Sequence, residues 1–310
     1  MEQTLSFEIE HDFVQTSERV KSVDLHPTEP WVLLGLYSGT ISIWNYQTKI
    51  EEKSLKISEL PVRSAKFIAR ENWIIAGTDD KYIRVYNYEK MEKITEFEGH
   101  KDYIRSLIVH PFLPYVVSAS DDQVLKLWNW KEGWSCNQTF EGHSHYVMQV
   151  AFNPKDPSTF ASASLDGTLK IWTLDSSAPN FTFDGHLEGV NCVEFFESND
   201  KQYLLSGSDD YTAKVWDYDS KNCIQTLEGH KNNVTSICVH PELPIIITTS
   251  EDSTVKIWDV VTYRLQTTLN LGLERVWSIG YKKGSSKLAF GCDKGFIIVT
   301  VNSAQVKQAN

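Results

Sequence analysis

The chain has 310 residues, 41% of them hydrophobic, which suits one large all-β domain or two ordinary domains with a substantial core. Its formal net charge is −11 and no long Lys/Arg run occurs, which argues against a general electrostatic grip on a nucleic-acid backbone. Five cysteines stand singly, at Cys136, Cys192, Cys223, Cys238 and Cys292, with neither a CxxC pair nor a metal-ligand spacing, so buried thiols in a reducing compartment are expected, with no metal and no cofactor.

The N-terminus "MEQTLSFEIEHDF" has no basic start or apolar signal-peptide core, and no later run approaches membrane-spanning length, so any membrane association is expected to go through a partner. Its segment "LSFEIEHDFV" is a strand pattern that belongs to no unit of its own. Beyond it the chain alternates apolar and polar residues over short runs, broken by turns such as "TDDK", "LDGT" and "EDST", with no helical periodicity. The first unit opens on "SERVKSVDL" and reaches "ISIWNY" (Trp44); the second opens on "ELPVRSAKF" and reaches "IRVYNY" (Tyr86). Four units then follow a Gly-His pair, at Gly99-His100, Gly142-His143, Gly185-His186 and Gly229-His230, spaced 43, 43 and 44 residues apart. Their strand ends "LKLWNW", "LKIWTL", "AKVWDY" and "VKIWDV" extend the aromatic ladder to Trp258. The seventh unit opens on "LERVWSIGY" and ends with "GFIIVTV", one strand short of four. The left-over N-terminal strand can supply that outer edge. Residues 1–302 therefore read as one domain, and 303–310 as a polar tail that begins a linker in a longer parent chain.

In the four regular units a His, a strand Ser or Thr, a turn Asp and the Trp fall in register: His100, Ser118, Asp122, Trp128; His143, Ser162, Asp166, Trp172; His186, Ser206, Asp210, Trp216; His230, Thr248, Asp252, Trp258. A loop His held inside a sheet needs a partner, and a turn carboxylate can accept its proton. Four copies of one constellation read as architecture rather than as hydrolase triads. With no unpaired His beside a nucleophile and no Gly-rich phosphate loop, no enzymatic activity is expected.

The repeat length and the Gly-His…Trp-Asp signature resemble the WD-repeat β-propeller family over nearly the whole chain. That resemblance implies a seven-bladed all-β propeller, a structural hydrogen-bonded tetrad in each regular blade, and closure of blade seven by the N-terminal strand. It also implies that the loop into each unit's first strand and the turn between its second and third strands share one rim. On that rim the residue after the first Val or Ile reads Lys21, Arg63, Arg105, Gln149, Asn191, Thr235, Trp277, and Arg19 stands two before Lys21. The residue before the tetrad Asp reads Tyr37, Asp79, Asp121, Leu165, Asp209, Glu251, Cys292, and Asp102 adds a further carboxylate. Convergent cations suit a carboxylate or phosphate, which Arg can grip bidentately. A basic cluster with an acidic arc beside it complements a short peptide carrying an anion at one end and cations a few residues away.

The stretches "RVKSVDLHPTEPWVL", "PVRSAKFIARENWII", "DYIRSLIVHP", "SDDQVLKLWNW", "NPKDPSTFASASLDGTLKIW" and "HPELPIIITTSEDSTVKIW" resemble, more narrowly, the N-terminal propellers of the β′ subunits of the COPI vesicle coat. Members of that family recognise dilysine retrieval signals, Lys-Lys-x-x or Lys-x-Lys-x-x, at the cytosolic C-termini of membrane cargo. The resemblance implies that Arg19, Lys21 and Arg63 hold the terminal carboxylate, that Asp102 and Asp121 hold one cargo lysine and Asp209 the other, and that Tyr37 packs beside the peptide. It further implies a cytoplasmic protein, peripheral on Golgi membranes and coated vesicles, joined to the α subunit and other coat subunits through parts of the parent chain outside this sequence. The α subunit's propeller and a scaffold that docks folded proteins such as ubiquitin are the alternative readings.

Overall fold

Short alternating runs become strands, and each tight turn folds a strand back on its predecessor. In the computed structural model, which describes residues 5–12 and 18–303, the outcome among the described residues is seven four-stranded antiparallel sheets and no α-helix. The chain is a seven-bladed β-propeller. Six sheets run in sequence order. The seventh takes Val276–Tyr281, Lys287–Cys292 and Gly295–Ser303 from the C-terminal end, and its outer strand is Leu5–Asp12, antiparallel to Gly295–Ser303. Of the tail expected over 303–310, residues 304–310 lie outside the described residues.

The core is made between blades. Leu33, Ile41 and Ile43 of blade one pack on Val62, Ala65 and Ile74 of blade two, and Val20, Val23 and Val32 pack on Ala289, Phe296 and Ile298 of blade seven. Each of the fully buried Val, Leu, Ile and Phe side chains stabilises the ring by about 1.5–3 kcal/mol. Neighbouring blades approach closely enough that a Cβ on Gly77 would stand 2.5 Å from Ile104 Cγ2.

The innermost strands are Val20–Leu25, Val62–Ile68, Ile104–Val109, Val147–Phe152, Val190–Ser198, Val234–Val239 and Val276–Tyr281. In every one the register slips immediately after the first residue, as between Val20 and Ser22 or Val147 and Gln149. The bulge leaves one residue out of the ladder and re-aims its side chain. These seven residues are Lys21, Arg63, Arg105, Met148, Asn191, Thr235 and Trp277, and all line the central funnel. The fourth is Met148, which directly follows Val147, and not Gln149, which stands one residue further along and lines the funnel as well.

The residue after each bulge ties the blades together. Ser22 Oγ accepts the Ala65 N–H at 3.0 Å, Ser64 that of Leu107 at 3.0 Å, Ser106 that of Val150 at 3.4 Å, Gln149 Oε1 that of Val193 at 2.7 Å, and Ser236 that of Ile279 at 3.2 Å. At the fifth position Cys192 cannot do this well, and Glu194 Oε2 accepts the Val239 N–H at 3.1 Å instead. Ser278, at the seam where blade seven meets blade one, has a buried hydroxyl with no hydrogen-bond partner among the described residues.

Candidate functional site

The His/Asp/Ser sets form hydrogen-bonded chains inside single blades. His143 Nδ1 lies 2.7 Å from Asp166 Oδ2, its Nε2 lies 2.6 Å from Ser162 Oγ, and Trp172 Nε1 donates to the same Oγ at 2.8 Å. An indole N–H can only donate, so Ser162 accepts there and gives its own hydrogen to Nε2, which leaves the proton on Nδ1, facing the carboxylate. The same chain runs through His100, Ser118, Asp122 and Trp128, through His186, Ser206, Asp210 and Trp216, and through His230, Thr248, Asp252 and Trp258. Burial pushes each imidazole below its ordinary pKa and outweighs the carboxylate beside it. Burial would raise the carboxylates, but hydrogen bonds override it; Thr254, the Lys231 N–H and His230 hold Asp252 at about 2. In two of these pairs glycine is needed because Gly185 and Gly229 sit at φ +149° and +146°, where a side chain is strained, whereas a Cβ on Gly99 would stand 2.8 Å from Ile83 Cδ1.

The bulge residues surround a funnel of about 500 Å³ on the central axis, lined in part by Lys21, Arg63, Arg105, Asp209, Glu251 and Trp277. Backbone bonds fix which rim carboxylate faces each of them. The N–H groups of Tyr37, Asp79, Asp121, Leu165, Asp209, Glu251 and Asp293 donate to the carbonyls of Arg19, Pro61, Tyr103, Tyr146, Gly189, Asn233 and Arg275, each just before an inner strand. Blade seven therefore presents Asp293 at this position. Cys292, the residue the sequence pattern selects, is buried in the ladder opposite Val276.

This geometry separates the three predicted anion ligands. Arg63 forks onto its own blade's Asp79, Nε to Oδ1 at 2.5 Å and Nη2 to Oδ2 at 2.7 Å. Arg105 forks onto Asp121 in the same way. Lys21 has Tyr37 where those blades have a carboxylate, and among the described residues no carboxylate pairs with it. Its ammonium rests 3.1 Å from the centre of the Trp277 ring. Burial first, then Arg63 and Arg19, push its pKa down to about 7, while Asp293 and Glu251 act the other way. Arg19 does not line the funnel. It lies over Tyr37 at 4.9 Å and over Trp277 at 5.6 Å, with Nε 2.7 Å from Asp293 Oδ1; the N–H is misaligned for a hydrogen bond, so the contact is an ion pair.

The predicted lysine ligands are dispersed. Asp209 lines the funnel and accepts from Asn191 Nδ2 at 2.7 Å. Asp102 is half-buried in the loop before Ile104–Val109, outside the funnel lining, where its Oδ1 accepts the Tyr103 N–H at 2.8 Å. Asp121 is 5% exposed, with both oxygens on Arg105, so it is not the free carboxylate that the sequence pattern suggests. Tyr37 is 46% exposed on the rim. Sequence reasoning missed Asp293 altogether and gave Trp277 no role. The turn "CDKG" carries one acidic residue where "SDDQ" carries two, and that hid the alignment.

The WD domain, G-beta repeat, profile matches at residues 5–45, 52–87, 91–129, 134–173, 177–217 and 221–259. The chain belongs to the WD-repeat family. Within this WD-repeat group it is similar to coatomer subunit beta' of Rattus norvegicus, 59% identical over 295 residues that make up 95% of this chain and 33% of the rat protein. Coatomer subunit beta'-2 of Oryza sativa subsp. japonica is 62% identical over 297 residues, 96% of this chain and 33% of that protein. Coatomer subunit beta'-1 of Arabidopsis thaliana is 65% identical over 295 residues, 95% of this chain and 32% of that protein. The chain spans about a third of the length of the curated relatives it matches. Among the described residues of the WD-repeat ring no His/Cys/Asp/Glu group could hold a metal ion, and no helix is long and apolar enough to cross a membrane.

Proposed function

We propose that this propeller is the cargo-binding part of a coatomer β′ subunit, a non-enzymatic receptor for the C-terminal dilysine signals of membrane cargo. The observation that carries the reading is Lys21, a cation with no carboxylate of its own, held between Arg19 and Arg63 at the mouth of a funnel whose far wall is acidic. A peptide carboxylate meets the Lys21 ammonium and the guanidinium N–H groups that Asp293 and Asp79 leave free. Cargo lysines then meet Asp209 on the funnel wall and Asp102 on the rim, while Asp121 acts as a charge shared with Arg105. Tyr37 packs against the peptide backbone. The similarity to proteins named coatomer subunit beta' supports a place in a cytosolic coat on Golgi membranes, joined to other coat subunits through the remaining two thirds of such a chain.

Several charge-assisted contacts, each net about 1.5–3 kcal/mol, offset the ordering of a flexible tail and lead to micromolar affinity, about −8 kcal/mol. Calorimetry with a dilysine peptide as free acid and as C-terminal amide, at matched ionic strength, tests this. The amide should bind at least about tenfold more weakly, because it lacks the anion. General attraction between a cationic peptide and a protein of charge −11 predicts the opposite order, so equal or tighter binding of the amide would remove the proposal.

A further inference from the structure

Blade seven contributes none of the predicted anion ligands, yet two of the three cations rest on it. Asp293 Oδ1 lies 2.7 Å from Arg19 Nε and accepts from Trp277 Nε1 at 2.7 Å, and its Oδ2 accepts from Arg275 Nε at 2.7 Å. The indole held in this way carries the Lys21 ammonium at 3.1 Å and the Arg19 guanidinium at 5.6 Å. On blades two and three the rim carboxylate takes its own blade's bulge cation. On blade seven the bulge residue is an indole, and the carboxylate reaches across the closure seam to blade one.

We infer that Trp277 and Asp293 form a third wall of the carboxylate site: Trp277 is the platform that presents Lys21, and Asp293 is a positioning residue that fixes Arg19 and the indole. The inference rests on the reading of this site as a receptor for a peptide C-terminus. An indole face attracts an ammonium without engaging it as firmly as a carboxylate does, so the N–H donors of Lys21 turned away from the ring stay available to an incoming oxyanion. A carboxylate at the same place, as blades two and three have, would occupy them. Asp293 binds Arg19 through one edge of the guanidinium and leaves the remaining N–H groups free. Selection of a free C-terminus thus depends on ring closure, since residues at opposite ends of the chain build the site.

The test is the ratio of amide to free-acid dissociation constants for one dilysine peptide, measured by calorimetry with wild type, Trp277→Leu, Trp277→Phe and Asp293→Asn, each checked by thermal melting. Wild type should favour the acid by at least about tenfold. Trp277→Leu and Asp293→Asn should each reduce that ratio at least about threefold, with little change in amide affinity, and Trp277→Phe should keep most of it. Asp293→Asn is decisive because simple electrostatics predicts the reverse: removing a negative charge beside the site strengthens anion binding. A tighter free-acid complex in Asp293→Asn, or an unchanged ratio in folded Trp277→Leu, overturns the inference. If Trp277→Leu does not fold, the near-isosteric Asp293→Asn decides alone. If wild type itself does not distinguish acid from amide, the carboxylate reading fails first, and the two failures are told apart.

Discussion

Lys21 and Ser278 are single residues whose surroundings make opposite demands. Lys21 is pushed down to about 7 by burial and by Arg63 and Arg19, so a bound carboxylate, which favours the charged form, draws a proton onto it. Free-acid peptide affinity should therefore weaken as pH rises from 7 to 9, where the ammonium of the free protein is lost. Lys21→Ala should bind weakly throughout, with a flatter profile; a wild-type affinity that is constant over that range would show that the ammonium does not take part. Ser236 accepts the Ile279 N–H, whereas the buried Ser278 hydroxyl has no partner among the described residues. Ser236→Ala should cost about 1–3 kcal/mol by orphaning that N–H, while Ser278→Ala should be neutral or stabilising. Denaturant melts of the two variants check this, and equal losses would contradict the seam assignment.

Within a blade the tetrad is the unit of stability. His143→Ala leaves Asp166 and Ser162 short of a partner in a buried place and should cost about 1–3 kcal/mol, with peptide affinity unchanged in the folded fraction. The tetrad also sets the acid limit. Four imidazoles have folded pKa values below the ordinary 6.5, so the unfolded chain binds protons first and stability falls as pH drops through that value. The tetrad carboxylates are lowered from 3.8, Asp252 to about 2, so their contribution is complete above 3.8 and is lost between there and the folded values. The tetrad therefore contributes two stages of loss below pH 6.5, superimposed on Lys21, whose lowered pKa of about 7 makes stability rise with pH above 7, and on Glu194, whose pKa burial raises to about 8 so that acidification favours the fold. His143→Ala should show a shallower fall in melting temperature between pH 6.5 and about 5 than wild type, and the same slope in both proteins would contradict the neutral-imidazole assignment.

Across the whole molecule, closure by Leu5–Asp12 covers the edge of Gly295–Ser303, and its Phe7 packs on the core shared by blades six and seven. A chain lacking residues 1–12 should melt lower and self-associate through the bare edge, and light scattering with thermal melting would detect both. Seven units, their strands and four tetrads were legible in the sequence because each depends on contacts within some 40 residues, and a repeated local chemistry leaves a repeated spelling. Arg19, Lys21 and Arg63 were legible as a cluster because they depart from that spelling on adjacent units. Their pairing was not. Asp121 looks free in sequence and is bound by Arg105; Cys292 looks like a rim residue and is buried one place from Asp293; Gln149 lines the funnel as expected but is already engaged, tying blade four to Val193 of blade five. Sequence alone determined the propeller and the rim on which charge gathers, because periodicity and strand alternation act at short range. Only the tertiary structure decided which cation remains unpaired, because that depends on a bulge that offsets every inner strand by one residue and on a seam that joins the two ends of the chain.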